Sequence, residues 1–532
     1  MKKILVILTF FVLMALVGAS YGWQGRMSGM EKPYGLIEDE SDFLTHPAKI
    51  ASSGEGVKYY LDYQFTFTDV IYWKYMLDQE GFSFPFRFHS SSDDEYDHNA
   101  LLGIAFPLAK GRMGVFFSYD KKMGNFDGHG SYDANDPQPK RLNYDMDSRL
   151  NNYALRLIYG LPVRCADLGF ELGFAHRGED QNGTVFVPAQ FGDNSKTSKN
   201  YIYGWSSPEM SLFPFMLPYD SSYWEVFGKA GVKKKLNAVD IDWSVRGSYL
   251  LSSDSENRYE YLFQAAEDVN HVKMEGDVRG YNIGSDLWIR HNVNEALNLP
   301  FLITVDYAQK RRNGDAMGIG PDDIVDHHFY KNNYMARTFE VKAGGGVERK
   351  VNTCGRVGAG LYYNYLQSHD NLSFFVTGSE PGEIGLEHLP NNQNEFPLHK
   401  EHRLVLNLAD EQEVSSDFTV RGGLNFFYGW VVADDYKQTR ISYDTPENLY
   451  NSYKTKYSLD GKNWGVEASL GATAKFCCFT LEPFIKAGYH KLNLDGGGNF
   501  VYISPTQTFF DKMNKEREEW CFGAGFSLLF GK

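Results

Sequence analysis

From about residue 57 onward, apolar residues recur at every second position in run after run, most of them ten residues or longer. A period of two marks a strand with one apolar face. Between Trp464 and Phe476 the residues Trp464, Val466, Ala468, Leu470, Ala472, Ala474 and Phe476 fall on one face; Gly465, Glu467, Ser469, Gly471, Thr473 and Lys475 fall on the other. The next run sets Phe479, Leu481, Ile485, Ala487 and Tyr489 against Thr480, Glu482, Lys486, Gly488 and His490. Only Cys477-Cys478 separates the two, which predicts a hairpin with a tight turn. Trp520, Phe522, Ala524, Phe526, Leu528 and Phe530 repeat the pattern near the end. Soluble strands are usually about five or six residues long, whereas a tilted membrane strand needs about 9–11.

Sixteen such runs are expected, near 57–67, 99–108, 111–119, 149–162, 166–177, 222–235, 239–251, 274–291, 298–311, 338–350, 355–367, 399–409, 415–430, 463–476, 479–490 and 520–530. Their connections alternate. Short turns fall near 109–110, 163–165, 236–238, 292–297, 351–354, 410–414 and 477–478. Long polar loops fall near 68–98, 120–148, 178–221, 252–273, 312–337, 368–398, 431–462 and 491–519. Short turns on one side and long loops on the other is the plan of an outer-membrane barrel, with the short turns in the periplasm. An even strand count puts both chain ends on that side. The expected fold is therefore all-β: a transmembrane antiparallel β-barrel of about sixteen strands. A secreted β-sandwich or propeller would show shorter strands and a packed core.

Composition agrees. Tyr (35), Phe (39) and Trp (9) are abundant and Gly numbers 52, while the mean hydropathy is only −0.42. Strands that are apolar on one face and polar on the other give that combination. Residues 1–22 have the form of a signal peptide: Lys2 and Lys3, an apolar run from Ile4 to Ala19, then small residues at Ser20 and Gly22. That run is short of the roughly 20 residues a spanning helix needs. The formal net charge is −15, and losing Lys2 and Lys3 with the leader takes it to −17. Such a charge argues against nucleic acid as a partner. Five cysteines, Cys165, Cys354, Cys477, Cys478 and Cys521, leave an odd thiol in an oxidising compartment. Four of them sit at or beside predicted short turns, where a disulfide between turns is conceivable.

Residues 23–56 precede the first strand and do not alternate. Within "GMEKPYGLIEDESDFLTHPAKIA" (29–51), Pro33, Gly35 and Pro47 break any long regular element. Phe43, Leu44, Ala48 and Ile50 can pack inside a barrel, and Asp39, Glu40 and Asp42 can pair with inward Arg and Lys. The order Gly29-Met30, Asp39-Glu40-Ser41, His46-Pro47-Ala48 resembles the N-terminal segment of the long-chain fatty-acid transporter (FadL-like) family. His46 stands where that family has Asn, and Lys49 where it has Gly. The resemblance implies a segment that folds into the barrel and helps plug it near the periplasmic side. It also leaves fourteen strands, the count in that family, as an open alternative to sixteen. The plug residues are thus expected to be Gly29, Met30, Asp39, Glu40, Ser41, His46 and Pro47.

The inward faces carry charges of both signs. Asp240, Asp242, Arg246, Asp306, Lys310, Glu340, Lys342, Arg421, Glu467, Lys475, Glu482 and Lys486 are candidates for the lumen lining, with Lys58, Asp62, Arg156, Glu171, Glu225, Lys229, Asp286 and Arg290 beside them. They can line an aqueous path and tune selectivity, or form cross-strand ion pairs that satisfy a polar interior. In the loop Gly320–His328, three aspartates and two histidines could hold a divalent cation. The calcium-loop spacing is missing, so a solvated acidic loop is the preferred account. Outside the leader no GxSxG signature occurs, and HExxH occurs nowhere, so no enzyme is expected, nor any cofactor or metal. The expected role is an outer-membrane channel or transporter for passive or gated uptake of a small molecule, hydrophobic cargo included. Its partners would be outer-membrane lipid, the barrel-assembly machinery and that cargo. The rival role is a non-conducting surface barrel for adhesion, assembly or sheathing a partner protein.

Overall fold

The computed structural model describes residues 40–79, 86–132, 140–186, 219–262, 269–319, 329–351, 354–378, 392–395, 398–442, 451–502 and 508–531. Two short 3-10 helices, Glu40–Leu44 and Pro47–Ser52, come first. Then follow β1 (Lys58–Gln79), β2 (Phe86–Leu108), β3 (Gly111–Tyr132), β4 (Lys140–Val163), β5 (Ala166–Phe186) and β6 (Tyr219–Leu236). The middle of the chain forms β7 (Val239–Leu262), β8 (Val269–Asn294), β9 (Leu297–Ile319), β10 (Phe329–Lys350), β11 (Gly355–Gly378) and β12 (Asn392–Glu395). The last strands are β13 (Leu398–Ser415), β14 (Phe418–Ser442), β15 (Asn451–Phe476), β16 (Phe479–Tyr502) and β17 (Thr508–Gly531).

Every neighbouring pair is antiparallel, and β1 pairs with β17 from Lys58↔Gly531 to Gln79↔Asp511, which closes the sheet. β12 and β13 both lie between β11 and β14, so together they fill one place in the ring. The barrel is therefore sixteen-stranded, not fourteen. Closure is what a bilayer demands, since an open edge would leave backbone N–H and C=O groups without partners in hydrocarbon. The short connections are tight. Ala109 and Asn237 take positive φ, 54° and 49°, in their two-residue turns, as primed hairpin turns require.

Facing outward, Phe117, Leu155, Phe174, Trp243, Phe301, Leu361, Phe426, Leu470 and Phe522 form an exposed apolar belt. Aromatic residues bound it at two levels. Tyr59 and Phe530 meet edge-on near the short turns, where Phe476 stacks on Phe479 at 4.2 Å. At the other level Tyr489 lies between Trp464 and Trp520, at 5.4 and 5.1 Å. Along β15 the two levels, Phe476 and Trp464, are about 30 Å apart at an ordinary rise and tilt. That matches an apolar membrane band.

The strands do not stop at the second girdle. Apart from β12 they run from 18 residues in β6 and β13 to 26 in β8 and β15. Twenty-four residues at a barrel tilt span roughly 60 Å. Part of every stretch expected as a polar loop, and most of several, is thus strand: β3 pairs with β4 out to Tyr132↔Lys140, and β14 pairs with β15 out to Ser442↔Asn451. The reason is physical. Beyond the bilayer the outward face meets water, so hydrogen bonding continues without the apolar alternation that would reveal it.

Leu470, midway between the girdles of β15 and 60% exposed, tests the membrane placement. Leu470→Arg is expected to lower the stability of the lipid-embedded barrel by about 2–4 kcal/mol, measured by denaturant titration in vesicles, whereas Lys475→Arg leaves it unchanged.

Candidate functional site

The pre-strand segment enters the barrel and lies on its inner wall near the short turns. Its contacts begin with a row of glycines. Gly160 on β4 pairs with Gly169 on β5, and Gly169 pairs with Gly231 on β6. All three side-chain positions face inward, so their lack of Cβ opens a groove across three strands. The helix Pro47–Ser52 lies in it. A Cβ on Gly169 would overlap the backbone of Pro47 and Ala48. One on Gly160 would stand 2.5 Å from Ile50, and one on Gly231 would stand 2.9 Å from the His46 ring.

The row continues on both sides with polar residues. Gly160 pairs with Arg112 on β3, whose guanidinium donates to the carbonyls of Gly54 and Gly56, both at 2.8 Å. Gly231 pairs with Ser244 on β7, and Ser244 pairs with Asp286 on β8. Ser244 donates to Asp286 at 3.2 Å, and Lys229 bridges Asp286, at 3.0 Å, to the carbonyl of Thr45. Apolar contacts complete the seat. Phe43 and Ile50 are fully buried with Tyr60, Ala105, Phe116 and Ile158 of the wall. Phe43 meets Tyr60 edge-on at 5.6 Å.

Lys49 supplies the central charge. Its ammonium is 2.9 Å from Asp42 and 3.2 Å from Asp242 on β7, and stands 4.8 Å above the Trp288 ring. All three charged side chains are buried. The sequence suggested segment acids pairing with wall cations. Here Asp42 pairs within the segment and the wall supplies the acid, Asp242. A buried pair contributes little beyond an apolar replacement, but removing one partner strands the others at a cost of about 3–5 kcal/mol.

His46 is buried too. Its Nε2 lies 3.0 Å from the Trp243 carbonyl, so that nitrogen carries the proton and donates. Nδ1 is buried with no hydrogen-bond partner among the described residues. Burial disfavours the imidazolium and, outweighing the pull of Asp242, lowers the pKa to about 4; Lys49 and Lys229 push the same way. His46 lies outside the membrane-spanning strands. Once undocked it returns to about 6.5.

The other expected residues fall in several places. Gly29, Met30 and Asp39 lie outside the described residues, as does the loop Gly320–His328; Glu40 and Ser41 form part of the first 3-10 helix. Arg246 joins Asp286 to Asp306 in the tier above the seat. Lys310 stands 5.0 Å over the Tyr223 ring, and Lys342 lies within the fields of Glu340 and Asp306. Asp240 accepts from Asn292 at 3.2 Å. Arg421 forms a separate buried pair with Glu411, at 2.8 Å, and reaches Glu482 at 3.7 Å. Lys486 lies over Gly523, Glu467 binds His490, and Lys475 is exposed at the short-turn end of β15. None of the five cysteines is in a disulfide. The glycine row and Arg112 were missed. Gly160 and Gly169 lie equally far from their shared turn, so pairing the hairpin on paper aligns them.

Fold and seat together define a membrane β-barrel with an internal segment docked at its short-turn end. No protein-family model matches the sequence, and no curated protein matches it. Among solved structures, the toluene transporter TodX of P. putida is 9% identical at a TM-score of 0.42, with 97% of this chain and 99% of that one covered. A FadL homologue of Pseudomonas aeruginosa is 11% identical at 0.38, covering 96% and 100%. The toluene transporter TbuX of Ralstonia pickettii is 9% identical at 0.38, covering 94% and 97%. Identities this low and TM-scores of this size mark distant likenesses, and nothing about this chain's cargo follows from them.

Two outcomes are expected. Gly169→Leu fills the groove and displaces the segment, seen as a large gain in deuterium exchange at the Lys49 and Ser53 amides, which otherwise donate to the His46 and Ile50 carbonyls. Acid weakens docking as well. Between pH about 6.5 and about 4 the undocked segment binds more protons than the docked one, so stability is full above that window and falls through it, by up to about 3 kcal/mol. The same amides report it, and His46→Gln removes this part of the pH dependence.

Proposed function

We propose that the protein is an outer-membrane channel for passive or gated uptake of a small molecule, with the segment 40–53 acting as its gate on the short-turn side. The observation that carries this is the way the segment is held. It is not woven into the sheet. It rests in a glycine groove through side-chain contacts, one buried charge triad and a few bonds to its carbonyls. Such a seat can be left without breaking a strand.

The wall offers both kinds of surface a cargo could use. Charged tiers around Arg246, Asp286 and Asp306 are polar and internally paired. Leu302, Tyr362, Val405 and Phe427 form an inward apolar cluster with Trp288. A sixteen-stranded barrel leaves room for an aqueous path, and the apolar cluster suits a hydrophobic cargo. Toluene, named for two of the distant barrels above, is a reasonable first probe of that class. The apolar belt and closed sheet support location in the outer membrane, reached through export by the N-terminal leader.

Planar-bilayer recording tests the proposal. The intact barrel should conduct weakly or in brief openings, and deletion of residues 23–51 should raise the open fraction severalfold. Lys49→Met should move in the same direction, because it removes the ammonium that joins Asp42 of the segment to Asp242 of the wall. A barrel that stays silent with and without the segment would favour the surface-display alternative.

A further inference from the structure

The lumen wall carries a second cluster, away from the seat, where β15, β16 and β17 meet. His490, Glu519 and Cys521 each point a ligand atom inward, and these atoms lie within 4.8 Å of one another. The placement follows from strand geometry. Glu519 and Cys521 are two apart on β17 and share a face, and the register sets His490 opposite Glu519. The cluster is level with Tyr489 and Trp520 of the outer girdle, so it faces water from the long-connection side.

We propose that His490, Glu519 and Cys521 bind a borderline-soft divalent cation, Zn2+ in the first place, on the lumen wall. Zinc takes imidazole nitrogen, carboxylate oxygen and thiolate sulfur in one tetrahedral shell, and three protein ligands leave a fourth position for water or cargo. Ligand atoms around zinc stand roughly 3.3–3.7 Å apart. His490 Nδ1 and Glu519 Oε1 are already at 3.0 Å, and the Cys521 sulfur lies within 4.8 Å of both.

The surroundings are those of a supported site. His490 Nε2 is 3.2 Å from Glu467 Oε1, the carboxylate–histidine relation that fixes which ring nitrogen faces a metal. Asn425 donates to the other Glu467 oxygen at 3.0 Å, and Arg517 holds Glu519 Oε2 at 2.7 Å, leaving Oε1 for the cation. Thr68 donates to the Cys521 sulfur at 3.5 Å. The competing account is a His490 ring held between Glu467 and Glu519 with Cys521 accepting from Thr68, and metal titration separates the two. Sequence spacing shows no metal motif because the ligands come from two strands, brought together only by register.

The test uses the full-length barrel with Cys165, Cys354, Cys477 and Cys478 changed to Ser, so that Cys521 is the one remaining thiol. Co2+ is the optical probe and Zn2+ the competitor, with folding checked by circular dichroism. The expected result is one Co2+ per chain with a thiolate charge-transfer band, displaced by Zn2+. Cys521→Ser should abolish the band and weaken Zn2+ binding by at least about tenfold. Glu467→Gln should keep the band and weaken binding by about tenfold, as loss of an orienting partner does. No stoichiometric Co2+ binding, or a Zn2+ affinity that Cys521→Ser leaves unchanged, would overturn the assignment. Should His490→Gln fail to fold, the cysteine variant decides the question alone.

Discussion

The hydrogen bonds between β1 and β17 are the constraint on which everything else rests. They remove the last free edge, and only an edgeless sheet can place this much backbone in hydrocarbon. Closure in turn creates an inside. Alternation then has two meanings: odd and even positions choose between lipid and lumen, and each polar residue on the inner face must find its partner across a strand or across the bore. The Asp62 carboxylate shows this at the seam itself, where Ser527 of β17 donates to it at 2.9 Å.

An inside also needs something to fill or govern it, and the N-terminal segment meets that need with unusual economy of contact. Steric fit comes from absent atoms, at Gly160, Gly169 and Gly231. Polar fit comes from wall side chains reaching to main-chain carbonyls, at Arg112 and Lys229. His46 and Lys49 reach the other way, from segment to wall. Each has its counterpart on the wall, the Trp243 carbonyl with Gly231 for one and Asp242 with Trp288 for the other.

How much was legible in the sequence depended on what enforced the pattern. Where lipid demanded an apolar face, as from Trp464 to Phe476, strand position and facing could be read residue by residue, and most short turns fell within a residue or so, whereas the one expected at 410–414 lies inside β13 and the chain turns at 416–417. Where water took over, as along Lys121–Tyr132, the same hydrogen bonding left no periodic trace and strand was taken for loop. The apolar anchors Phe43, Ala48 and Ile50 could be picked out because burial selects residue type. The charge triad could not: a lysine, two aspartates and a tryptophan spread over 42–288 say nothing of their pairing until register brings Asp242 and Trp288 to the same stretch of wall. The His490 cluster was hidden for the same reason.

The length of the strands has an electrostatic consequence. Below the outer girdle the bore is sheathed by hydrocarbon, so its charges act across a low-dielectric wall and are screened only from within. Above it, the same tube is bathed by electrolyte on both faces, and fields there fade within about 8 Å at physiological salt. The field of a given wall charge therefore reaches farther across the bore in the lower half of this barrel than in the upper half.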